Sequence, residues 1–341
     1  MFVRFKCAIV FVLLSCASVN GQGEQSALRA LFDKAQGIED IRKSGGSGFL
    51  LTGNIRIYVN KDSVTDGKYA FMWTPDGKWR QEIVFPGYKR LRIGDGRQFW
   101  QVRNTKGESP HVYELSRLVA FWQMPKLSDD DNLKRIHSEK VEGIESTCVQ
   151  KTTSKGDVHI SCFDPESGEL VKSMSAKDSS PILWNVQWVE YSQYTKWEDK
   201  SYPRSIRGYN GKHQVFDVQF DEIRPAPQDA ANSFIPPKDA TTWLDCSDGP
   251  AWKLKNRISP VYPPDLRQRR RDGAVALYVV IEEDGHLSQV SLATSAEKEF
   301  DDAAGSAVAQ WTYERTGACA DSKGRSEQII SVFFSIDQRH P

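Results

Sequence analysis

Four cysteines offer the clearest chemistry in this sequence, because their number and spacing fit disulfide bonds. Cys148, Cys162, Cys246 and Cys319 lie beyond the N-terminal segment, and an even number is typical of disulfides in an oxidising compartment. The stretch "STCVQKTTSKGDVHISCF" predicts a hairpin that places Cys148 opposite Cys162, which leaves Cys246 for Cys319. The alternative is zinc, but the sequence contains no Cys-x-x-Cys pair and no histidine at ligand spacing. Disulfides or free thiols are therefore favoured over a metal site.

The histidines do not suggest a catalytic centre, because they are scattered along the chain. The sequence also lacks G-x-S-x-G, H-E-x-x-H, a phosphate-binding glycine loop and a dinucleotide fingerprint. We therefore predict that the protein is not an enzyme and needs no cofactor. The histidines concerned are His111, His137, His159, His213, His286 and His340.

The first residues, "MFVRFKCAIVFVLLSCASVNGQ", have the pattern of a secretory signal peptide over residues 1–21. A positive start at Arg4 and Lys6 precedes a short apolar core and an exit of small residues. The apolar part is shorter than the ~20 residues of a membrane-spanning helix. "LLSC" resembles a bacterial lipobox, in which Cys16 would be the lipidated first residue, and a plain signal peptide is the alternative. Either route predicts the periplasm or cell envelope, as a secreted protein or a membrane-anchored lipoprotein.

The charge balance gives no reason to expect nucleic acid as a partner. Removing Arg4 and Lys6 from 45 basic residues leaves 43 against 45 acidic residues, a balance too small for bulk attraction to polyanions. The length suggests about two domains.

The chain after the presequence predicts one helix followed by a long series of antiparallel strands. Apolar spacing indicates a helix over residues 26–42, a second over 113–124 and a short capped helix over 128–136. Asp-Gly turns separate the strands between them. The first strands are "FLLTGNIRIYV", "GKYAFMW", "KWRQEIVF", "RLRI" and "QFWQVR".

A proline-rich stretch without periodicity, "RPAPQDAANSFIPPKDATTW", marks a boundary after these strands. It predicts an antiparallel β domain over residues 22–238, a linker over 239–256 and a small C-terminal domain over 257–341. The overall fold class is α+β.

The first domain resembles the LolA-like periplasmic lipoprotein carriers over roughly residues 24–238. The resemblance is carried by "LLTGNIRIYV", "RQEIVFPGYKRLRIGDGRQFW", "VEGIESTC" with "CFDPESGELVK", and "FDEIRPAP" with "FIPP". It implies a curved, half-open sheet closed by helices, with a concave apolar face able to hold an acyl chain or an extended peptide. Simple core packing is the alternative for the same aromatic residues. The candidate lining is Phe71, Trp73, Trp79, Phe85, Trp100, Trp184 and Trp188.

The segment "VYPPDLRQRRRDGAVALYVVIEEDGHLSQV" begins a compact module with the order helix, strand, strand, helix, strand. Pro264 suits the first helical position and Gly273 the residue that ends the helix. "AVALYVVIEEDG" alternates and turns, "EFDDAAGSAVAQW" has a helical stripe, and "SEQIISVFFSID" is the last strand. The cluster Arg267, Arg269, Arg270 and Arg271 is interpreted as a solvated helix face, with docking to an acidic partner or lipid headgroups as the alternative.

Residues 258–336 resemble the TonB C-terminal domain, and the matching residues are unlike one another. They are Tyr262-Pro263, Gly273, Asp284-Gly285, Ser295, Phe300-Asp301, Ala303 or Ala304, Ala307 and Trp311. The resemblance implies an energy-transducer module that grips a peptide of an outer-membrane transporter by β-strand addition. The sequence shows no convincing inner-membrane helix and no long Pro/Lys-rich spacer. Peptide binding is thus expected more firmly than energy coupling.

We predict that "EQIISVFFS" is the strand to which a partner peptide adds, because it is the last strand and its interior carries neither charge nor proline. The alternative is that this strand is central or covered by the linker. The expected partner is an outer-membrane transporter or another envelope protein, and the competing function is a carrier of acyl lipid. The predicted contact residues are Gln328, Ile329, Ile330, Ser331, Val332, Phe333 and Phe334.

Overall fold

The structure is a computed structural model, and it describes most of the chain after the first twelve residues. Trp184, Cys246 and Cys319 lie outside the described residues, as does the start of the predicted signal peptide. Within the described residues, no helix combines the length and apolarity needed to cross a membrane. The described residues are 13–43, 46–60, 63–96, 98–105, 107–122, 127–154, 156, 158–176, 186, 188–244, 252–316 and 323–336.

A fourteen-stranded antiparallel sheet forms the first part of the described structure. Two meanders join where β1 pairs with β12, with Gly53 opposite Phe220. The sheet order is β14-β5-β4-β3-β2-β1-β12-β11-β10-β9-β8-β7-β6, with β13 pairing β1. The strands are β1 Phe49–Asn60, β2 Ser63–Trp73, β3 Trp79–Phe85, β4 Tyr88–Gly94, β5 Gln98–Arg103, β6 Asn132–Val141, β7 Ile144–Thr152, β8 Val158–Phe163, β9 Leu170–Ala176, β10 Trp188–Trp197, β11 Lys200–Asn210, β12 His213–Phe220, β13 Arg224–Pro225 and β14 Thr241–Leu244.

Two helices cover one face of this sheet, which we call the inner face. Helix α1 spans Leu13–Glu39 and α2 spans Pro110–Leu118. Leu28 and Phe32 of α1 and Leu115 of α2 are buried in the main apolar cluster. The predicted helix over residues 128–136 is wrong, because residues 128–131 form a turn and β6 begins at Asn132. The acidic run there caps a turn, in which the Asp131 carboxylate accepts the Ser128 N–H at 2.8 Å.

A close approach of backbone and ring occurs where β3 meets β4. Gly94 is paired with Trp79, and a Cβ at this glycine would overlap the indole ring. The ring can therefore lie flat over the neighbouring strand only because residue 94 has no side chain.

The predicted hairpin and its disulfide are confirmed. Cys148 and Cys162 are directly opposite in the β7–β8 ladder and are joined by an S–S bond of 2.04 Å. Glu139 lies within 4.8 Å of both sulfur atoms, but sulfurs bonded to each other lack the thiolate charge that binds metal. The second predicted pair, Cys246 with Cys319, stays a prediction.

The C-terminal module has the predicted helix-strand-strand-helix-strand order. Its three-stranded sheet runs β17-β16-β19, and a separate ladder joins β15 to β18. Phe300 packs on Gly273, where a Cβ would lie 2.5 Å from the ring. The elements are β15 Trp252–Asn256, α3 Pro264–Gln268, β16 Gly273–Ile281, β17 Leu287–Thr294, α4 Lys298–Val308, β18 Thr312–Arg315 and β19 Ser326–Phe334.

The segment predicted as a linker, residues 239–256, contains two strands. Strand β14 pairs with β5 of the large sheet, and β15 pairs with β18 of the module. The segment therefore contributes to both parts of the fold, and the boundaries 22–238 and 257–341 stay predictions.

Candidate partner-binding edge

Strand β19 lies at an edge of the module's sheet. It pairs with β16 in one continuous antiparallel register, from Ile281 opposite Ser326 to Gly273 opposite Phe334. Within the described residues, its other side is paired only at the residue before the strand, where Arg325 bridges to Trp243 of β14. The long outer side of β19 is thus placed where a partner strand could add.

The Arg325 bridge fixes which backbone groups of β19 point outward. The Arg325 N–H donates to the Thr242 carbonyl at 3.1 Å, and the Leu244 N–H donates to the Arg325 carbonyl at 2.7 Å. Backbone groups of alternate residues in a strand point the same way. The N–H and C=O groups of Glu327, Ile329 and Phe333 therefore face outward with those of Arg325.

The two faces of β19 have different environments. Ile330, Val332 and Phe334 are buried against the helices of the module. Ile329 lies on the opposite face and packs near Tyr278, whereas Phe333 is 52% exposed. An adding peptide would therefore meet one exposed aromatic ring at the outer end of the strand.

Behind the edge, Glu327 joins the module to the large sheet. Its carboxylate accepts a hydrogen bond from Arg92 of β4 at 2.5 Å and one from the Tyr278 hydroxyl at 2.6 Å. Arg92 also donates to Gln101 at 2.5 Å and stacks over Phe99. The ion pair is buried, since the side chains of Arg92 and Glu327 are 10% and 8% exposed.

A second buried carboxylate, Glu108, continues this network on the large sheet. Arg90 approaches it at 3.5 Å and Arg103 at 3.3 Å, and Tyr88 donates to it. Burial alone would raise the pKa of Glu108, but the charges of Arg90, Arg92 and Arg103 together with the Tyr88 hydrogen bond outweigh burial and lower it. Burial in turn lowers the pKa of the Arg90 guanidinium. We call this buried contact between the large sheet and the module the seam. It contains Arg90, Arg92 and Arg103 with Glu108 and Glu327, so three positive charges face two negative ones.

Further contacts hold the seam together from the side of β17 and α2. The Glu108 N–H donates to the Gln289 side chain at 3.3 Å. Tyr113 of α2 packs edge-on against Tyr278 with ring centroids 5.4 Å apart. Burial, followed by the charge of Glu327, raises the pKa of the Tyr278 hydroxyl, so this group stays a proton donor.

The predicted lipid-pocket residues do not all share one face. Phe71 and Phe85 are buried in the main inner-face cluster, and Trp73 and Trp79 pack against it. Trp100 instead packs on the opposite face with Ile93 and Phe234.

Trp188 also departs from the predicted lining. Its neighbour Val189 belongs to the inner-face cluster, so strand alternation turns Trp188 to the opposite face, where it stacks on Tyr209 with ring centroids 5.7 Å apart. Trp100 and Trp188 were therefore placed on the wrong face, because strand register was not considered, while the other four described residues share the inner face and their role as a lining stays a prediction.

Phe71, one of the four inner-face aromatics, is covered by the segment that follows α2. Trp122 stacks on Phe71 with ring centroids 4.6 Å apart, and Phe121 packs against Tyr202 and Phe220. An acyl chain could take the place of Trp122 on the Phe71 ring only if Trp122 moved away.

The sequence interpretation missed the seam entirely. Arg90 and Arg92 are two residues apart on β4, so both side chains point to the same face of the strand. This face is the inner face, where apolar residues are expected. Basic residues at inward positions predict a buried acidic partner, and this signal could have pointed to Glu108 and Glu327.

Residues 258–331 match the sequence model of the Gram-negative bacterial TonB protein C-terminal family, which confirms the resemblance of the C-terminal segment. A comparison with curated proteins finds no match.

Solved structures resemble both parts of the chain. A LolA-superfamily protein, NE2245 of Nitrosomonas europaea, is 11% identical and covers 59% of this chain and 96% of its own, with a TM-score of 0.39. The TonB C-terminal domain of Pseudomonas aeruginosa is 22% identical and covers 28% and 95%, with a TM-score of 0.23. The P. aeruginosa MucA/MucB complex is 13% identical and covers 75% and 80%, with a TM-score of 0.28.

Proposed function

We propose that this protein is a periplasmic, TonB-like adaptor that captures an extended peptide of an outer-membrane transporter or another envelope protein. Capture takes place by β-strand addition along the outer side of β19. The adaptor contributes in this way to energy-dependent transport across the outer membrane.

The observation that carries the proposal is the Arg325 bridge to β14. There, an isolated parallel bridge with two backbone hydrogen bonds pairs the outer side of Arg325 with strand β14, which supports the use of this side for pairing. Beyond Arg325, β19 continues for nine residues, and the backbone groups of Glu327, Ile329 and Phe333 face the same side as those of Arg325. Main-chain bonds of this kind supply affinity, and alternate side-chain contacts supply selectivity.

The edge also lacks the usual protection against unwanted pairing. Charges or prolines commonly blunt an exposed edge, but the residues from Ile329 to Phe334 contain neither. Retention of an apolar edge with an exposed Phe333 is consistent with a surface used for binding.

The first test asks whether partner capture needs the backbone N–H of Phe333 or its aromatic ring. The Phe333→Pro change removes the outward N–H together with the ring, whereas Phe333→Ala removes only the ring. We expect capture of partner from an envelope extract to be lost with proline and only weakened with alanine. Equal capture by both variants would show that strand addition does not occur at this position. Circular dichroism of both variants checks that the module remains folded.

The second test asks whether a partner lies against this edge. A photo-crosslinking residue, benzoylphenylalanine, replaces Phe333 in the full chain, and the matched control carries it at Val64 of the large sheet, which is 49% exposed. We expect a crosslinked envelope protein only from position 333, with mass spectrometry locating the link in an extended segment. Crosslinks from position 64 alone would refute the proposal.

A second candidate function, an acyl carrier, is favoured by the inner-face aromatics around Phe71. Its distinguishing outcome is an acyl lipid that co-purifies with the full chain and is visible by mass spectrometry. The Trp122→Ala change should increase that lipid if the cover over Phe71 controls access. A protein that purifies without lipid and with a crosslinked partner supports the adaptor.

A further inference from the structure

Exposed basic residues are concentrated in the first segment of the C-terminal module. Residues 253–271 contain seven lysines and arginines but one acidic residue, Asp265, in a chain whose formal net charge is zero. All seven basic side chains belong to exposed residues. Positive charge is therefore concentrated in this segment, although the formal net charge of the whole chain is zero.

Most of these charges are not neutralised within the fold. Lys253 lies 4.0 Å from Glu314, and Arg271 lies 2.8 Å from Glu297. No ion pair within the described part of the chain involves the other five, which we call the basic rim. The basic rim consists of Lys255, Arg257, Arg267, Arg269 and Arg270.

The rim is held in place by aromatic side chains of the module. Arg257 lies over the Trp311 ring at 5.5 Å, and the Trp311 N–H donates to the Ile258 carbonyl at 2.8 Å. Arg267 lies over the Tyr262 ring at 5.3 Å. Only five residue steps separate Arg257 from Tyr262, so the backbones of these two residues lie within about 18 Å of each other.

Exposed apolar side chains stand between the two groups of charges. Val261 is 77% exposed and Ile258 is 37% exposed. Val261 thus projects from a loop whose base is anchored by Tyr262, which packs edge-on against Phe300 and Phe334. Apolar groups within a basic surface are typical of protein segments that lie on a membrane.

We propose that the basic rim docks this protein on a bilayer that contains anionic phospholipid. Lys255 and the four arginines face the phosphate-bearing headgroups, and Val261 and Ile258 enter the interfacial layer. The basic rim belongs to β15, α3 and the residues that follow them, not to β19, so the docking proposal does not rest on the proposed peptide capture.

An anionic bilayer fits these features better than an acidic protein does. Ile258 and Val261 are exposed and lie between the charges in the sequence, and a bilayer with apolar chains below anionic headgroups can accommodate both kinds of side chain. Basic residues near an anionic membrane each strengthen binding by about fivefold, and a few inserted aliphatic groups add to this.

The experiment measures sedimentation of the full chain with vesicles that contain about one third phosphatidylglycerol, or phosphatidylcholine alone. The charge variant combines Lys255→Gln, Arg269→Gln and Arg270→Gln, and a separate variant carries Val261→Ser. We expect binding to the anionic vesicles to fall at least tenfold in the charge variant and severalfold in Val261→Ser. Binding of the unaltered chain should also weaken as the ionic strength rises from about 0.05 to 0.5 M.

The matched control removes the same number of charges from exposed positions of β6, with Lys134→Gln, Arg135→Gln and Lys140→Gln. This control should bind anionic vesicles as the unaltered chain does. Equal sedimentation of the unaltered chain, the charge variant and the control would overturn the proposal, as would equal binding to both kinds of vesicle. Loss of a crosslinked envelope protein in the charge variant, with vesicle binding unchanged, would assign the basic rim to an acidic protein instead. Circular dichroism confirms that each variant is folded.

Discussion

The buried carboxyl of Glu39 gives a pH dependence that can be calculated from the structure. Glu39 is the last residue of α1 and is fully buried. It accepts the Leu170 N–H at 2.7 Å and the Tyr194 hydroxyl at 3.2 Å. Burial raises its pKa from 4.5 to about 8, more than these two hydrogen bonds lower it. Its position at a helix C-terminus also disfavours a negative charge.

The direction of the effect follows from the raised pKa. Below pH 4.5 the carboxyl is protonated in both the folded and the unfolded chain, so Glu39 imposes no penalty. As the pH rises toward 8, the unfolded chain ionises first, and the free energy of unfolding falls. One pKa unit corresponds to about 1.4 kcal/mol, so the loss is about 3 kcal/mol at pH 7 and at most about 5 kcal/mol above pH 8.

The Glu39→Gln change removes this penalty, because the amide cannot ionise and its oxygen can still accept the Leu170 N–H. We expect the variant to gain stability over the unaltered chain as the pH rises from 5 to 8, by about 3 kcal/mol or less at pH 7. Denaturant titrations followed by circular dichroism at pH 5, 7 and 8 measure the difference. Glu166→Gln, an exposed change of equal charge on the same side of the sheet, serves as the control.

A stability difference between Glu39→Gln and the unaltered chain that stays constant from pH 5 to 8 would refute the reasoning. It would show that the carboxyl is hydrated or paired in a way that keeps its pKa near 4.5. The same pH trend in Glu166→Gln would assign the effect to net charge instead.

Three other changes test the seam, the close packing and the hairpin. Glu327→Ala leaves Arg92 buried without its nearest carboxylate and should cost about 3–5 kcal/mol, with a double-mutant cycle on denaturation midpoints showing that the two changes are not additive. Gly94→Ala forces the Trp79 ring from its place and should cost about 1–3 kcal/mol, whereas Gly305→Ala, in an open part of helix α4, should stabilise by about 0.5–1 kcal/mol. Thermal unfolding compares these two variants, and equal effects would contradict the packing argument. Replacing both hairpin cysteines by alanine should lower the free energy of unfolding by about 3 kcal/mol or less, and a denaturant midpoint that does not change would contradict a stabilising role.

Local features of the fold could be predicted from the sequence, because they depend on residues that are close together in the chain. The alternation of strand residues predicted β1 to β5 to within a few residues, and Asp76-Gly77 and Asp95-Gly96 lie between strands as predicted, whereas Asp66-Gly67 lies inside β2. The hairpin that pairs Cys148 with Cys162 needed only a turn between two short strands. The order of the C-terminal module was likewise set by periodicity and by Gly273.

Contacts between distant segments could not be predicted. The alternation of apolar and polar residues in a strand does not indicate which other strand pairs with it. The predicted helix over residues 128–136 failed for this reason, since β6 is stabilised by its ladder with β7. Trp100 was assigned to the wrong face because register depends on the adjacent strands. Nothing local to residues 241–244 showed that they would join β5 and reach Arg325.

The sequence by itself determined the strand-rich first part, the hairpin disulfide and the compact module at the C-terminus, since hydrophobic period and turn chemistry act over a few residues. Only the tertiary structure decided that β19 is an edge strand and that Glu327 fastens it to Arg92. Both depend on which distant strands occupy the two sides of β19, and that choice is made by packing of the whole fold.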